Sequence, residues 1–321
     1  MEKWNVDVAV LCIFFARPEQ FRKSFEAVKK ARPRVLLLWQ DGPREGRDDD
    51  IENIRKCREI AEDIDWECEV HRNYHEKNMG CDPSTFYSHK WAFSIVDKCI
   101  ILEDDLVPSQ SFFPFCKELL DRYENDERID RICGTNLLTN YDIPNDYFFQ
   151  GFGNSWGWAS WRRVAEKWEE DFAFMDDPYA VQCMRNLQPK DCLQGHIRWE
   201  QECLQHKAEG IPYWEHIIGA QTLLSGRLVI YPRCNMVLNL GLDANSTHAP
   251  TDINALPKRV QTFFQNPALD LEFPLKHPKY IINDTAFKRL CDEHVYGTRF
   301  QKFIGLFERA ALKIKKSFRK K

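Results

Sequence analysis

Three consecutive carboxylates, Glu103, Asp104 and Asp105, follow four apolar residues at positions 99–102. Neighbouring acids repel one another and resist burial unless a cation or hydrogen-bond donors relieve them. Mg²⁺ and Mn²⁺ take carboxylate and phosphate oxygens together, so such an ion would bridge the phosphates of a nucleotide and stabilise a departing diphosphate. The alternative is a solvated turn whose acids precede a helix. The position directly after an apolar segment favours a metal and phosphate site.

Two further charged residues stand in the same relation to apolar segments as this acidic triplet. Arg17 follows the segment 6–15, and Asp41 follows the segment 34–39. In parallel α/β sheets, ligands bind beyond the carboxyl ends of the strands. The sequence therefore predicts that Arg17, Asp41 and the acidic triplet belong to one site.

Apolar runs alternate with amphipathic stretches through the first 123 residues. This alternation is typical of βαβ units and predicts an α/β fold with a Rossmann-like mixed, mainly parallel sheet flanked by helices. The expected strands are 6–15, 34–39, 66–70 and 98–102, and the expected helices are 19–30, 49–64, 85–96 and 111–123.

The second half of the sequence is less regular, with short strand candidates at 228–231 and 236–240. Neither an internal repeat nor a low-complexity linker interrupts it. We therefore expect one domain over residues 1–296, followed by a segment of different character over residues 297–321.

The net charge of −4 hides a strongly basic end of the chain. Residues 299–321 contain nine Lys or Arg and one acid, and apolar residues recur there at helical spacing. This pattern is typical of a basic amphipathic helix at a membrane interface, and it predicts that residues 300–321 contact an anionic membrane surface. The alternative is a helix packed on the body of the protein. Because that body is acidic, nucleic-acid binding is not expected.

Targeting signals are not evident in the sequence. Hydrophobic residues make up 43% of the chain, but no run approaches the ~18 apolar residues of a membrane span. The first residues lack the cationic start of a signal peptide, which predicts a cytoplasmic protein. Together with the basic segment 300–321, this predicts a peripheral position on the inner face of the cell membrane. The 12 cysteines are scattered without a Cys-x-x-Cys pair, which favours buried thiols over disulfides or zinc.

The segment 101–108, followed by Phe112 and Phe113, resembles the GT-A glycosyltransferases. It is particularly similar to N-acetylglucosaminyltransferase I and its bacterial family 2-like relatives, in which a Glu-Asp-Asp triplet replaces the Asp-x-Asp motif. The resemblance implies a GT-A type fold in which Asp105 holds Mn²⁺ or Mg²⁺. Glu103 and Asp104 would then face the ribose and sugar of the donor.

Other short segments match the same family in order. Phe15-Ala16-Arg17-Pro18 resembles a loop whose arginine binds the nucleotide, and Gln40-Asp41-Gly42 resembles the position whose acid accepts the uracil N–H. The segment 87–92 resembles a helix start that supplies a basic group near the phosphates, with Lys90 preferred over His89. The donor-binding residues implied by the resemblance are Arg17, Asp41, Gly42, Asn78, Gly80, His89, Lys90, Glu103, Asp104, Gly157 and Trp158.

The later matches concern the sugar pocket and the catalytic base. Gly157 and Trp158 lie in a tryptophan-rich motif and are assigned to the sugar wall, although core packing is the alternative for such tryptophans. Glu215 follows Trp214 where relatives carry Asp, and it is the predicted base; the alternatives are Glu200, Glu202, Asp171 and Asp177. The segments 239–241 and 247–248 also match, and His248 is predicted as a further metal ligand.

The resemblance implies a metal-dependent glycosyltransferase, a hexosyl- or N-acetylhexosaminyltransferase. It would move sugar from a UDP donor to a cell-surface or lipid-linked glycan, with inversion and with Glu215 as base. One alternative is a nucleotidyltransferase of related fold. Enzymes of that class usually bind a triphosphate with a glycine-rich, basic loop, and the loop 15–19 lacks this composition. The other is a non-catalytic binding protein recruited to membranes.

Overall fold

The computed structural model describes residues 3, 5–187, 193–241, 261 and 264–296. The strands are β1 (Val6–Phe14), β2 (Pro33–Gln40), β3 (Glu69–Tyr74), β4 (Lys98–Glu103), β5 (Leu106–Pro108), β6 (Ile129–Cys133), β7 (Tyr147–Gln150), β8 (Trp158–Trp161), β9 (Leu228–Pro232) and β10 (Val237–Asn239). The helices are α1 (Pro18–Ala31), α2 (Asp48–Ala61), α3 (Cys81–Ile95), α4 (Phe112–Arg122), α5 (Arg162–Ala165), α6 (Pro178–Asn186), α7 (Leu193–Glu209), α8 (Trp214–Leu224) and α9 (Thr285–Tyr296), with a short 3₁₀ turn at Ala173–Asp176.

Eight strands form one sheet in the order β3-β2-β1-β4-β8-β6-β9-β7. The first four are mutually parallel, β8 is antiparallel to β4 and β6, and β9 is parallel to β6 but antiparallel to β7. The predicted fold class, an α/β fold with a mixed, mainly parallel sheet flanked by helices, is confirmed.

The centre of the sheet explains why the site lies where it does. Residues 8–14 of β1 are all buried, and α1, α3 and α4 pack against this strand, as expected for a continuous apolar run covered on both faces. In the register of the sheet, Phe14 lies beside Gln40, and Ile13 lies beside Glu103. The carboxyl ends of β1, β2 and β4 therefore meet at one edge.

Four predicted boundaries in the first half are wrong by three or four residues: both ends of β3, the end of α2 and the start of α3. Strand β3 is Glu69–Tyr74 instead of 66–70, and α2 ends at Ala61 instead of residue 64. Trp66 lies before β3 and is fully buried, and its indole N–H donates to Pro33 O at 2.8 Å. Helix α3 begins at Cys81, four residues before the predicted start. Gly80 has φ 88° and forms the turn into the helix, and its carbonyl accepts the N–H of Ser84 at 3.0 Å.

The second half contains the helices α6, α7 and α8, which the sequence analysis did not predict. The strand candidates 228–231 and 236–240 are confirmed as β9 and β10. Strand β10 pairs with β5 in a separate two-stranded antiparallel sheet, where Asn239 faces Leu106 and Leu240 N donates to Asp105 O at 2.8 Å. This pairing brings residues 239–241 beside the acidic triplet.

The cysteines within the described residues are free thiols, eight of them buried, in agreement with the prediction. None of the helices in this part of the chain combines the length and apolar composition that a membrane crossing requires.

Candidate functional site

A cavity of about 260 Å³ opens beyond the carboxyl ends of β1, β2 and β4. Six of the residues predicted to bind a donor line it: Arg17, Asp41, Asn78, Gly80, Glu103 and Asp104. The structure therefore brings together residues that are up to 87 positions apart in the chain.

Arg17 bridges two acids of the triplet. Its Nη2 donates to Asp104 Oδ1, and its Nη1 lies 3.0 Å from Asp105 Oδ2. The second oxygen of Asp104 accepts the N–H of Phe15 at 3.2 Å. Asp104 is thus held through both oxygens by the loop after β1. The side chain of Asp105 is more open, with 13% exposed against 3% for Asp104.

One arginine does not relieve the negative charge of this site. Loss of hydration raises the pKa of Glu103 well above its usual value, and the charges of Asp105 and Glu215 add to the shift, while Arg17 opposes it. Loss of hydration also raises the pKa of Asp105 to about 6, again against the influence of Arg17. Burial lowers the pKa of Arg17, but Asp104 and Asp105 reverse this effect and leave it raised. A divalent cation would remove this excess of negative charge.

Gly241 leaves a small space beside Asp105. A Cβ atom at this glycine would lie 2.6 Å from Asp105 Oδ2 and 2.8 Å from Asn239 Oδ1, so both oxygens border the space that a side chain would fill. Carboxylate and amide oxygens are ligands suited to Mg²⁺ and Mn²⁺. Among the described residues, no three His, Cys, Asp or Glu side chains converge as a metal site. The chain thus fits a cation that takes its remaining ligands from phosphate and water. His248 lies outside the described residues.

Asp41 is engaged by the protein itself. Its carboxylate accepts the N–H groups of Gly42, Met79 and Gly80 at 2.9–3.1 Å, and it accepts Asn78 Nδ2 at 3.0 Å. Burial raises its pKa, and the backbone donors oppose this shift without cancelling it. Since a carboxylate has about four acceptor positions, these bonds fill them. Asp41 therefore ties the end of β2 to the loop before α3, and the uracil contact predicted for it would have to displace one of these donors.

The structure adds residues to this end of the cavity that the sequence analysis missed. Arg44 donates to both oxygens of Asp50 at 2.7 Å, and its guanidinium carbon lies 5.5 Å from the centre of the Phe15 ring. All three residues line the cavity, together with Asn53. A planar cation above an aromatic ring forms a surface suited to a nucleobase. The only sequence signal was the position of Arg44 just after the turn that ends β2.

Glu215 lies exposed in the first turn of α8. Its Oε1 accepts Ser155 Oγ at 2.8 Å, and its charge raises the pKa of Glu103. The predicted base is therefore within electrostatic reach of the acidic triplet.

The alternative bases are committed to local contacts. Glu200 pairs with Arg185 and Glu202 with Arg198, Asp177 caps α6, and Asp171 accepts the N–H of Ala173.

Five predicted donor residues do not line the cavity: Gly42, His89, Lys90, Gly157 and Trp158. His89 and Trp158 are buried and pack edge-to-face with ring centres 5.2 Å apart. Loss of hydration lowers the pKa of His89 to about 3, so it is neutral and supplies no charge to a phosphate. Lys90 Nζ donates to Ala165 O at 3.2 Å. These three side chains support the core around α3 in this structure.

Both glycines of this group allow close approaches of the chain. A Cβ at Gly42 would lie 2.5 Å from the backbone of Lys77. Gly157 has φ 67°, and a Cβ there would lie 2.8 Å from Val237 Cγ2. Their positions favour a structural role.

Comparison with known proteins gives distant structural similarities. Neither a protein-family model nor a curated protein matches the chain. Among solved structures, it is similar to the inositol-1-phosphate CTP transferase from T. maritima, with 10% identity, a TM-score of 0.39, and coverage of 82% of this chain and 97% of that chain. It is also similar to mouse xyloside xylosyltransferase 1 in its apo form, with 13% identity, a TM-score of 0.33, and coverage of 69% of this chain and 81% of that chain. Similarities this distant carry no argument about activity, which rests on the residues of the site.

Proposed function

We propose that this protein is a metal-dependent glycosyltransferase that uses a nucleotide sugar, with UDP as the expected nucleotide. The observation that carries the proposal is the convergence of Arg17, Asp41 and the acidic triplet at neighbouring strand ends, beside a cavity of about 260 Å³. A basic group, uncompensated carboxylates and an aromatic surface are the features that a nucleoside diphosphate requires. That the nucleotide carries a sugar is inferred from the sequence resemblance to the GT-A enzymes.

The proposed cation ligands are Asp105, Asn239 and, from the sequence resemblance, His248. Such a cation, when bound, supplies Lewis-acid stabilisation of the diphosphate leaving group. The chain's own contribution is Arg17, whose planar guanidinium suits two phosphate oxygens at once.

Glu215 is the proposed base of an inverting transfer. Ser155 holds Oε1 at 2.8 Å, and the other carboxylate oxygen takes the proton of the acceptor hydroxyl as that hydroxyl attacks the anomeric carbon. Because Glu215 is exposed, a glycan or lipid-linked acceptor can reach it from solvent. Contact of residues 300–321 with the inner face of a membrane would keep the enzyme near such an acceptor; these residues lie outside the described part of the chain.

The test is a thermal-shift panel of nucleotides and sugar nucleotides with and without Mn²⁺, followed by turnover assays. We expect the largest shift from a uridine sugar nucleotide with Mn²⁺, and release of UDP when an acceptor is present. Pyrophosphate release from a nucleoside triphosphate and a sugar phosphate would replace the proposal with a nucleotidyltransferase. Donor binding without hydrolysis or transfer to any of a panel of acceptors would favour a binding protein.

A further inference from the structure

We propose that Arg17 is a built-in counter-cation of the metal site. In the free protein, Arg17 forms an ion pair with Asp105, the carboxylate that would bind the metal. When donor and metal bind together, its guanidinium moves to the diphosphate. Metal and donor would then bind cooperatively, each weakly in the absence of the other. This inference rests on the proposed function and concerns how its two ligands enter the site.

The geometry of Asp105 is the first argument. Its Oδ2 lies 3.0 Å from Arg17 Nη1, and the same oxygen would lie 2.6 Å from a Cβ at Gly241. The oxygen that borders the space for a cation is therefore the oxygen already paired with the arginine. Two positive groups cannot both approach one carboxylate oxygen without strong repulsion, so Arg17 and a cation compete for it.

The difference between the two aspartates is the second argument. Asp104 accepts a hydrogen bond from Phe15 N at 3.2 Å that does not involve the side chain of Arg17, whereas Asp105 has the more exposed side chain. Loss of Arg17 therefore leaves Asp104 partly satisfied and opens Asp105 to the cation. The side chain of Arg17 is 19% exposed and lines a cavity of about 260 Å³, so a phosphate can reach it.

The charge balance of the site is the third argument. Three consecutive carboxylates, Glu103, Asp104 and Asp105, begin at the end of β4, and Arg17 pairs with two of them, Asp104 and Asp105. If a divalent cation binds Asp105 in the absence of a donor, Arg17 loses its ion pair and finds no other anion in the site. A bound diphosphate provides that anion. Linkage requires that the donor strengthen metal binding by the same factor as the metal strengthens donor binding.

The test measures Mn²⁺ binding directly, by electron paramagnetic resonance of the free ion, with and without UDP. For the unaltered protein we expect UDP to tighten Mn²⁺ binding by at least about tenfold, within the usual range of coupling between two sites. In Arg17→Gln we expect Mn²⁺ alone to bind more tightly than to the unaltered protein, and the effect of UDP to shrink. Unchanged or weaker binding of Mn²⁺ alone by Arg17→Gln overturns the proposal, as does the absence of any effect of UDP on the unaltered protein.

Two further variants separate the ion pair from net charge and from misfolding. Arg44→Gln removes one positive charge from the same cavity but from a residue paired with Asp50, so its affinity for Mn²⁺ alone should stay unchanged. A gain in Mn²⁺ affinity equal to that of Arg17→Gln would mean that net charge alone acts.

Arg17→Lys retains the positive charge and replaces Arg17→Gln in the test if that variant does not fold. Because lysine cannot contact Asp104 and Asp105 with two separate nitrogens, this variant should bind Mn²⁺ alone more tightly than the unaltered protein. An unchanged affinity would overturn the proposal. Turnover of a sugar nucleotide without cooperative binding would leave the proposed function standing and remove only this inference.

Discussion

Ser155 Oγ donates a hydrogen bond at 2.8 Å to the carboxylate of Glu215, at the start of α8. Glu215→Gln keeps the shape and the hydrogen bond but cannot take a proton. We expect sugar transfer to fall by about 10²–10⁴-fold, the usual contribution of a general base, with donor and Mn²⁺ binding retained. Steady-state kinetics and calorimetric binding of the donor check this, and full activity of the variant would remove Glu215 as the base.

Ser155→Ala is the companion variant. It leaves the carboxylate in place but frees its orientation, so the rate should fall by less than in Glu215→Gln. Equal losses in the two variants would point to a structural effect instead of a proton transfer.

Gly241 gives a test of the cation's position. In Gly241→Ala the new Cβ would lie 2.6 Å from Asp105 Oδ2 and 2.8 Å from Asn239 Oδ1, so both oxygens must move out of the proposed cradle. We expect Mn²⁺ affinity in the presence of UDP to fall by about 10–100-fold, the range found when the surroundings of metal ligands are altered. Titration calorimetry measures this.

Gly219→Ala is the matched control for that variant, because a Cβ there meets no atom of the described residues within 4 Å and the residue lies within α8. It should bind Mn²⁺ as the unaltered protein does and gain up to about 1 kcal/mol of stability from the better helix former. If Gly241→Ala also binds Mn²⁺ normally, the cation lies elsewhere.

At the scale of single residues, the sequence identifies the acids better than their partners. The acidic triplet and Arg17 were predictable because charged residues directly after apolar strands are conspicuous. Asn239 and Gly241 lie in the segment 239–241, which matched the family without indicating a role, since an amide and a glycine are common in any sequence. Their importance comes from the β5–β10 pairing, which joins segments that are far apart in the chain.

Asp41 connects two elements, because its carboxylate at the end of β2 accepts hydrogen bonds from the loop that leads to α3. Asp41→Ala would leave the N–H groups of Met79 and Gly80 without the acceptor that they use now. An unsatisfied buried donor costs about 1–3 kcal/mol, and we expect a loss of at least that size in the free energy of unfolding. Urea denaturation measures the loss.

Glu45→Ala is the control for Asp41→Ala, because Glu45 is exposed in the same loop. Its effect should stay within about 0.5 kcal/mol, as is usual for surface substitutions. A loss as small as this in Asp41→Ala would mean that water or another group satisfies the loop.

His89 joins α3 to β8 and α8, with its ring 5.2 Å from Trp158 and 5.1 Å from Trp214. Its pKa is about 3 in the folded protein, because burial disfavours the charged ring. In the unfolded chain a histidine takes up a proton near pH ~6.5. The unfolded state therefore binds more protons between these values, and the stability present above pH ~6.5 is lost as the pH falls, by up to about 1.4 kcal/mol per pH unit.

His89→Phe should remove this dependence while retaining an aromatic ring in the same packing. Within the described part of the chain, neither ring nitrogen of His89 has a hydrogen-bond partner, so the variant should be as stable as the unaltered protein at pH 8 or more stable. Urea denaturation between pH 8 and pH 5 should show a smaller loss of stability in the variant. Parallel curves for the two proteins would contradict the buried, neutral state of His89.

At the scale of elements, β1, β2 and β4 were predictable because each is a mostly apolar run followed by charged or turn residues, whereas the mostly polar β3 was placed three residues too early. Helices α6 and α7 were missed because few of their described side chains are buried, whereas α8 was missed although Trp214, Ile217 and Ile218 are buried at helical spacing. In α6, only Met184 is buried. The tryptophans of the motif 156–161 were ambiguous for a different reason. Alternation along β8 would separate inward from outward side chains, yet β8 is buried throughout, and both Trp158 and Trp161 join the core.

The whole molecule brings its second half to the site through one sheet. Strand β8 pairs with β4 directly below the acidic triplet, and β10 reaches the triplet through β5. The first half of the chain thus supplies the expected phosphate and nucleotide contacts, and the second half supplies Glu215, Asn239 and Gly241. No local pattern could predict this assembly, because it depends on which distant strands pair.

Charge at the scale of the molecule gives the last prediction. Nine basic residues and one acid in the segment 299–321 follow a body that carries the remaining negative charge. Each basic residue near an anionic lipid surface contributes about 1 kcal/mol, so the full chain should float with phosphatidylserine vesicles, less with phosphatidylcholine vesicles, and less at high salt.

Deletion of residues 300–321 should abolish flotation without changing hydrolysis of a soluble donor. A full-length variant with Lys313, Lys315, Lys316, Lys320 and Lys321 replaced by Gln should lose binding to anionic vesicles while retaining the apolar residues. Equal recovery of all three proteins would show that the basic segment does not attach this protein to membranes.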